Sequence, residues 1–253
     1  MSADSKSKLQ CKNCGTVAPG KYCPNCGQKT NTDRFQWKHI GHQILDSIDF
    51  DRGFVYTLYL LLRRPGSAIR EFIQGSRVRF ANPFKLFLII GAFTNFLTYE
   101  FDTFSHFIVD VSELEDLKGY YGYSTKYFSF FTFTAIPLFS VCSWLIFLKR
   151  SYNLIEHYIL NLYIGVGQFL ILIIFIPVIY YFPYDGIIVF YGFVNAAYNT
   201  WVLIVFFHAF NVRGIIKIVF AIAIPSVTVF YYNYLIYRLS PQALWEFLDR
   251  ILA

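Results

Sequence analysis

Between Pro83 and Tyr237 the chain is a succession of apolar runs, each close to the length of a membrane crossing. The hydrocarbon core of a bilayer is about 30 Å thick and takes roughly 20 residues of helix. Inside it every backbone N–H and C=O must find a partner within the protein, which a helix supplies internally. Five runs qualify as candidate spans: 83–101, 127–148, 158–182, 187–210 and 215–237. The first, "PFKLFLIIGAFTNFLTYEF", has 14 uncharged residues between Lys85 and Glu100, so a re-entrant path is its alternative. Pro137, Pro177 and Pro225 fall inside runs and are expected to kink them, which neighbouring helices tolerate. Charged residues make up 15% of the chain and aromatic residues 21%. Soluble domains carry about 25% charged residues, so the expected class is an all-α membrane protein of about five transmembrane helices.

The charges suggest an orientation. Residues 1–85 carry fourteen Lys and Arg against six Asp and Glu, whereas residues 100–126 carry six acids and two bases. Arg63, Arg64, Arg70, Arg77, Arg79 and Lys85 precede the first run, Lys149 and Arg150 follow the second, and Arg213 and Lys217 flank the join of the fourth and fifth. With five crossings these three basic sites share one side, and positive-inside bias makes it the cytoplasm. The C-terminus then lies in the periplasm. The start "MSADSKSKLQC" is polar, so no cleavable signal peptide is expected. A net charge of +6 spread in this way speaks for topology and against nucleic acid.

Ahead of the spans stands "CKNCGTVAPGKYCPNCG", with Cys11, Cys14, Cys23 and Cys26 spaced C-x2-C-x8-C-x2-C. Gly15 and Gly27 follow the pairs and permit the positive φ of a tight knuckle. Four thiolates in two knuckles form a closed tetrahedral site, expected to hold one structural Zn2+. A redox dithiol normally belongs to a larger fold, and a reducing cytoplasm disfavours disulfides. All four ligands are used, so the site offers no open position for catalysis. Cys142, within the second run, reads as a packing residue.

Residues 34–82 read as three short amphipathic helices forming an interfacial collar. Phe35, Ile40, Ile44, Leu45 and Ile48 recur at helical spacing, Phe54 to Leu62 forms a second run, and Ser67 is expected to cap a third helix that Gly75 closes. Arg63, Arg64, Arg77 and Arg79 would face anionic lipid phosphates. For Arg77 a purely topogenic charge is the plainer reading. His39, His42 and Asp46 share one helical face, which reads as the polar side of an amphipathic helix more readily than as a metal site.

The segment "YCPNCGQK", followed by "FDRGFVYTLYLLLRRPGSAIREFIQGSRVRFANPFKLFLI", resembles an uncharacterised bacterial membrane-protein family found mainly in Bacteroidota, a domain of unknown function. Its pattern is a zinc ribbon, a Thr–Leu–Pro–Gly stretch, and Gly-Lys-Arg-x-x-Tyr-x-x-Pro before the first span. Thr57, Leu61, Pro65, Gly66, Gly75, Arg77, Phe80 and Pro83 match it, while Ser76 replaces the usual lysine and Phe80 the usual tyrosine. The resemblance covers roughly residues 10–90. It implies an inner-membrane location and no particular activity.

No Asp, Glu, Lys or Arg stands near the centre of any run, which weighs against ion-coupled transport. The polar residues there are Asn95, Asn161, Gln168, Asn195, Asn199 and Thr200, with His208 near a run end. Glu156, His157 and Glu100 lie at run ends, where water is expected to reach them. Gly192, Ala196 and Thr200 form a small-residue stripe flanked by Asn195 and Asn199, expected to pack on the preceding span, with contact to a second copy as the alternative. The tail "SPQALWEFLDRILA" reads as an amphipathic helix on the outer leaflet or on an adjoining chain. The expected organisation is a ribbon at 1–33, a collar at 34–82, a bundle at 83–239 and the tail at 240–253. The expected function is non-enzymatic, a membrane adaptor or regulator whose ribbon docks a cytoplasmic protein. An oligomeric pore and a lipid-handling or membrane-embedded enzyme are the alternatives.

Overall fold

The computed structural model describes residues 10–32, 34, 53–101, 103, 128–182 and 185–239. Among these, seven helices form: α1 (Phe54–Arg63), α2 (Pro65–Ile73), α3 (Pro83–Glu100), α4 (Phe128–Ile146), α5 (Leu154–Tyr181), α6 (Asp185–Phe207) and α7 (Val212–Arg238). The only extended pairings described are the isolated bridges Gln10–Val17 and Tyr22–Lys29 in the ribbon. The first amphipathic helix of the collar, the His39/His42/Asp46 face, most of the acidic loop 100–126 and the tail 240–253 lie outside the described residues.

Local chemistry fixes where the long helices begin. Asn82 Oδ1 accepts the Phe84 N–H at 2.9 Å, and Pro83 occupies the first turn of α3. Asn153 and Glu156 form a reciprocal capping box at the start of α5. Asn211 Oδ1 accepts the Gly214 N–H at 2.7 Å to open α7. The prolines 137, 177 and 225 are accommodated inside helices α4, α5 and α7.

Helix α5 is the axis of the bundle. It packs against α1, α2, α3, α4 and α6, while α7 lies on α4 and α6. In their most apolar stretches α5 is 61% buried, α6 22% and α7 17%, so α6 and α7 turn most of their apolar surface outward. Helix α7 makes contact through a narrow seam of Gly214, Ile218, Ala221, Pro225, Asn233 and Tyr237, leaving Val219, Phe220, Val227, Tyr231 and Leu235 exposed. An apolar outer surface this large suits lipid rather than water. The helices α5, α6 (from Val189) and α7 are long and apolar enough to cross a membrane. Over their described residues α3 and α4 fall short of that measure. Helix α3 carries Lys85, Asn95 and Glu100, and the described apolar part of α4 runs from Phe130 to Ile146. Even so, α3 runs beside the later two-thirds of α5: Tyr163, in the third turn of α5, donates to the Ala81 carbonyl at 2.7 Å, and Phe101 meets Tyr180 edge-on at 5.3 Å at the other end.

Three expectations are corrected. Glu156 and His157 are not wetted run ends, because both are buried. Glu156 is covered by its capping box and an ion pair. His157 Nδ1 lies 2.9 Å from Ser143 Oγ on α4, Asn161 donates to Ser140 and Ser143, and Phe207 stacks on the imidazole. Interhelical hydrogen bonds of this kind join α4 to α5. Ser67 is not the cap of its helix: α2 begins with Pro65 in its first turn, and the Ser67 hydroxyl donates back to the Arg64 carbonyl. Last, the stripe on α6 does not pack on α5. Gly192 and Ala196 are exposed, and a Cβ added at Gly192 would meet open space. Helix α6 instead buries Tyr198, Val202, Leu203, Phe206 and Phe207, whose bulk directs the opposite face inward.

Candidate metal centre and its docking collar

Each CxxC pair folds into the knuckle its glycine predicts. Gly15 and Gly27 take φ of 75° and 73°, and their amides donate to the Cys11 and Cys23 carbonyls at 2.8 and 2.9 Å. All four sulfur atoms lie within 4.8 Å of one another. Sγ of Cys11 is 3.6 Å from that of Cys26, and Sγ of Cys14 is 3.5 Å from that of Cys23. Bonds of about 2.3 Å to a central zinc would set tetrahedral edges of about 3.8 Å, so the donor set fits a tetrahedral thiolate site. The four cysteines can therefore hold a metal ion. Cys14 Sγ lies 3.4 Å from Thr16 Oγ1, and hydrogen bonding with the side chain and backbone of Thr16 pulls its thiol down to about 6, toward the thiolate a metal requires. The ribbon's buried interior is little more than Cys11, Cys23 and Ala18. So small a core cannot stabilise a fold alone, and metal binding would supply that energy.

The ribbon does not stand apart from the rest of the chain. It is instead docked on the collar, in contacts the sequence did not signal. The Gln28 side chain is buried and spans the turn after α2: its Nε2 donates to the Gly75 carbonyl at 2.7 Å, and its Oε1 accepts the Arg77 and Val78 amides at 3.0 and 3.3 Å. Ser76 donates to Asn13 Oδ1 at 3.0 Å. Gly75 has φ 116°, and a Cβ there would meet Thr32 Oγ1 at 2.7 Å and Lys12 Cδ at 2.8 Å, so a larger residue would obstruct the dock. Beyond the ribbon, Arg34 pairs with Glu156 through Nε at 2.8 Å and Nη2 at 2.7 Å and also contacts the Ser151 carbonyl. The carboxylate beside it holds the Arg34 guanidinium above its ordinary range. The ribbon thus sits at the end of the bundle where α3 and α5 begin.

The basic collar is already engaged in part. Arg64 and Arg79 share the Glu71 carboxylate at 3.0 and 2.6 Å, and both stay partly exposed. Arg63 lies against Tyr59. Arg77 offers its backbone amide to Gln28. Arg70, read from sequence only as a topogenic charge, donates to the Val205 and Phe206 carbonyls and contacts His208, capping the C-terminus of α6 where cations are favoured. That contact brings the collar and the α6–α7 join to the same end of the bundle. On α6, Asn195 donates to Tyr191 O and Thr200 to Ala196 O, both within the helix. These two and Asn199 are partly exposed and are not gathered into a closed site.

The residues that carried the family resemblance turn out to be architectural. Thr57 Oγ1 donates to Gly53 O at 2.7 Å and accepts the Ala81 N–H at 2.9 Å, while the Ala81 carbonyl accepts Tyr163. Tyr198 donates to the Leu61 carbonyl at 3.1 Å. A Cβ at Gly66 would meet Val202 O at 2.7 Å and Phe206 N at 2.9 Å, so only glycine allows this approach of α2 to α6. Phe80 is buried edge-on against Phe72. No curated protein sequence and no solved structure matches the chain. Residues 51–94, which hold α1, α2, the docking turn and the first two-thirds of α3, match the family model described as "Protein of unknown function (DUF3667)".

Proposed function

We propose that the chain is a non-enzymatic adaptor or regulator of the bacterial inner membrane. It crosses five times, through α3 to α7, with the N-terminal side in the cytoplasm and the C-terminus in the periplasm. The four cysteines hold one structural zinc. The ribbon docks a cytoplasmic protein and fixes it at the membrane surface. The observation that carries the reading is the attachment of a four-cysteine ribbon, through Gln28 and Arg34, to the basic end of an apolar bundle. A ribbon held this way would offer its exposed Tyr22 and Val17 to a partner at a fixed place near the headgroups. The arginines at 63, 64, 77 and 79 of the collar keep part of their surface exposed, and at a membrane surface anionic lipid would favour them.

The test is a photo-crosslinking residue at Tyr22 in the full-length protein in cells. A discrete protein adduct that disappears when Cys23 and Cys26 are both changed to serine is expected. Adducts to lipid alone, or the same adducts in the cysteine variant, would contradict the adaptor reading. One observation favours a second reading, an oligomeric pore: the stripe of Gly192, Ala196 and Thr200, with Asn195 and Asn199 beside it, lies uncovered on α6. Small residues and amides of this kind join helices in lipid. Size measurement in detergent, wild type against Ala196→Phe, decides it: a monomer in both removes the pore.

A further inference from the structure

The docking contacts come from both knuckles. Asn13 lies between Cys11 and Cys14, and Gln28 directly follows the Gly27 that closes the second pair. The Gln28 backbone is part of its knuckle, since its carbonyl accepts the Cys23 N–H at 2.8 Å. Its side chain meanwhile holds both sides of the collar turn, the Gly75 carbonyl and the amides of residues 77 and 78. Asn13, from the other knuckle, accepts Ser76 within the same turn. Two residues 15 positions apart can grip one turn only while the knuckles keep their mutual position, and among the described residues the apolar interior between those knuckles is Cys11, Ala18, Cys23 and partly buried Cys26. The turn so gripped carries Arg77 and leads, four residues after Val78, to Asn82, the cap of α3.

We propose that the ribbon is a metal-dependent clasp: the metal, by joining the two knuckles, places Asn13 and Gln28 to lock the Gly75–Val78 turn, and loss of the metal frees that turn, with Arg77 on it, at the membrane surface. The chain thereby converts the metal state of the ribbon into a change at the start of its first span. This rests on the assignment of the four cysteines as a metal site, and goes beyond it by giving the metal a receiver in the collar.

The amides of Arg77 and Val78 report the clasp directly, because Gln28 is their acceptor. Hydrogen exchange is measured by mass spectrometry on the full-length protein in lipid nanodiscs, with peptides from the centre of α5 as a control for the fold. In the metal-loaded protein the two amides are protected. Stripping the metal with a chelator accelerates their exchange by about tenfold or more, the scale set by losing several hydrogen bonds at once, and adding zinc back restores protection. Gln28→Ala, which keeps all four cysteines, exchanges as fast as the stripped protein while still holding its metal. Protein that carries metal and stays protected after stripping overturns the clasp and leaves the metal site standing. Protein that carries no metal yet protects the two amides overturns both. Unchanged protection in Gln28→Ala overturns the role of Gln28.

Discussion

Two glycine-to-alanine substitutions should move the stability of this protein in opposite directions. At Gly66 the added methyl meets Val202 O at 2.7 Å, Val205 Cβ at 2.8 Å and Phe206 N at 2.9 Å. Two of these three atoms are backbone, so no side-chain rotation relieves the contact and α2 must move away from α6. Overpacking of this kind costs about 1–3 kcal/mol, and the rigid partners place it near the upper end. Against this stands the helix-propensity gain of replacing glycine, about 1 kcal/mol at most, so a net loss of about 2 kcal/mol remains. Moving α2 also loosens Arg70 from the Val205 and Phe206 carbonyls. At Gly192 the methyl meets nothing within 4 Å, and the propensity gain of about 0.5–1 kcal/mol stands alone. Thermal unfolding of the two variants in the same detergent compares them. For a chain of this size about 1 kcal/mol moves the midpoint by roughly 2–4 °C, so Gly66→Ala falls by roughly 4–8 °C while Gly192→Ala holds or rises by a few degrees. Equal shifts in both, or an unshifted Gly66→Ala, would refute the close approach of α2 to α6. A large loss in Gly192→Ala would show that the stripe is packed in the native assembly.

Purified protein should contain one zinc per chain, and Cys23→Ser combined with Cys26→Ser should remove it; metal analysis beside a thiol count checks this, and intact thiols without metal would contradict it. Tyr163→Phe deletes the buried donor to the Ala81 carbonyl and should cost about 1–3 kcal/mol, read as a lower unfolding midpoint. Arg34→Ala should cost about 1–3 kcal/mol, because it takes the charged partner from buried Glu156 although Arg34 itself is half exposed, and a double-mutant cycle with Glu156→Gln reads the pair itself.

Much of the helical framework was legible. Uninterrupted apolar runs can satisfy their backbone only as helices, and the runs at 83–101 and 215–237 correspond to α3 (Pro83–Glu100) and α7 (Val212–Arg238). The two glycine knuckles were legible because a positive φ after CxxC leaves little choice of residue. What could not be read was how these parts meet. Gln28 and Gly75 are 47 residues apart, and their bond uses a side-chain amide that resembles any polar loop residue. The direction of the α6 stripe was hidden for a related reason: small residues allow close packing, but the bulky face of Tyr198, Val202 and Phe206 took the contact with the bundle. Glu156 and His157 looked wettable from their place in the run, because the partners that bury them, Arg34, Ser143 and Phe207, come from three other segments.

The central claim is a metal ribbon held on the cytoplasmic face of a bundle that crosses the membrane an odd number of times. A biotin-acceptor peptide fused to one terminus or the other, in cells whose biotin ligase is cytoplasmic, tests it most directly. The account predicts biotinylation of the N-terminal fusion and none of the C-terminal fusion; biotinylation at both termini, meaning an even number of crossings, or at the C-terminus alone, would contradict it.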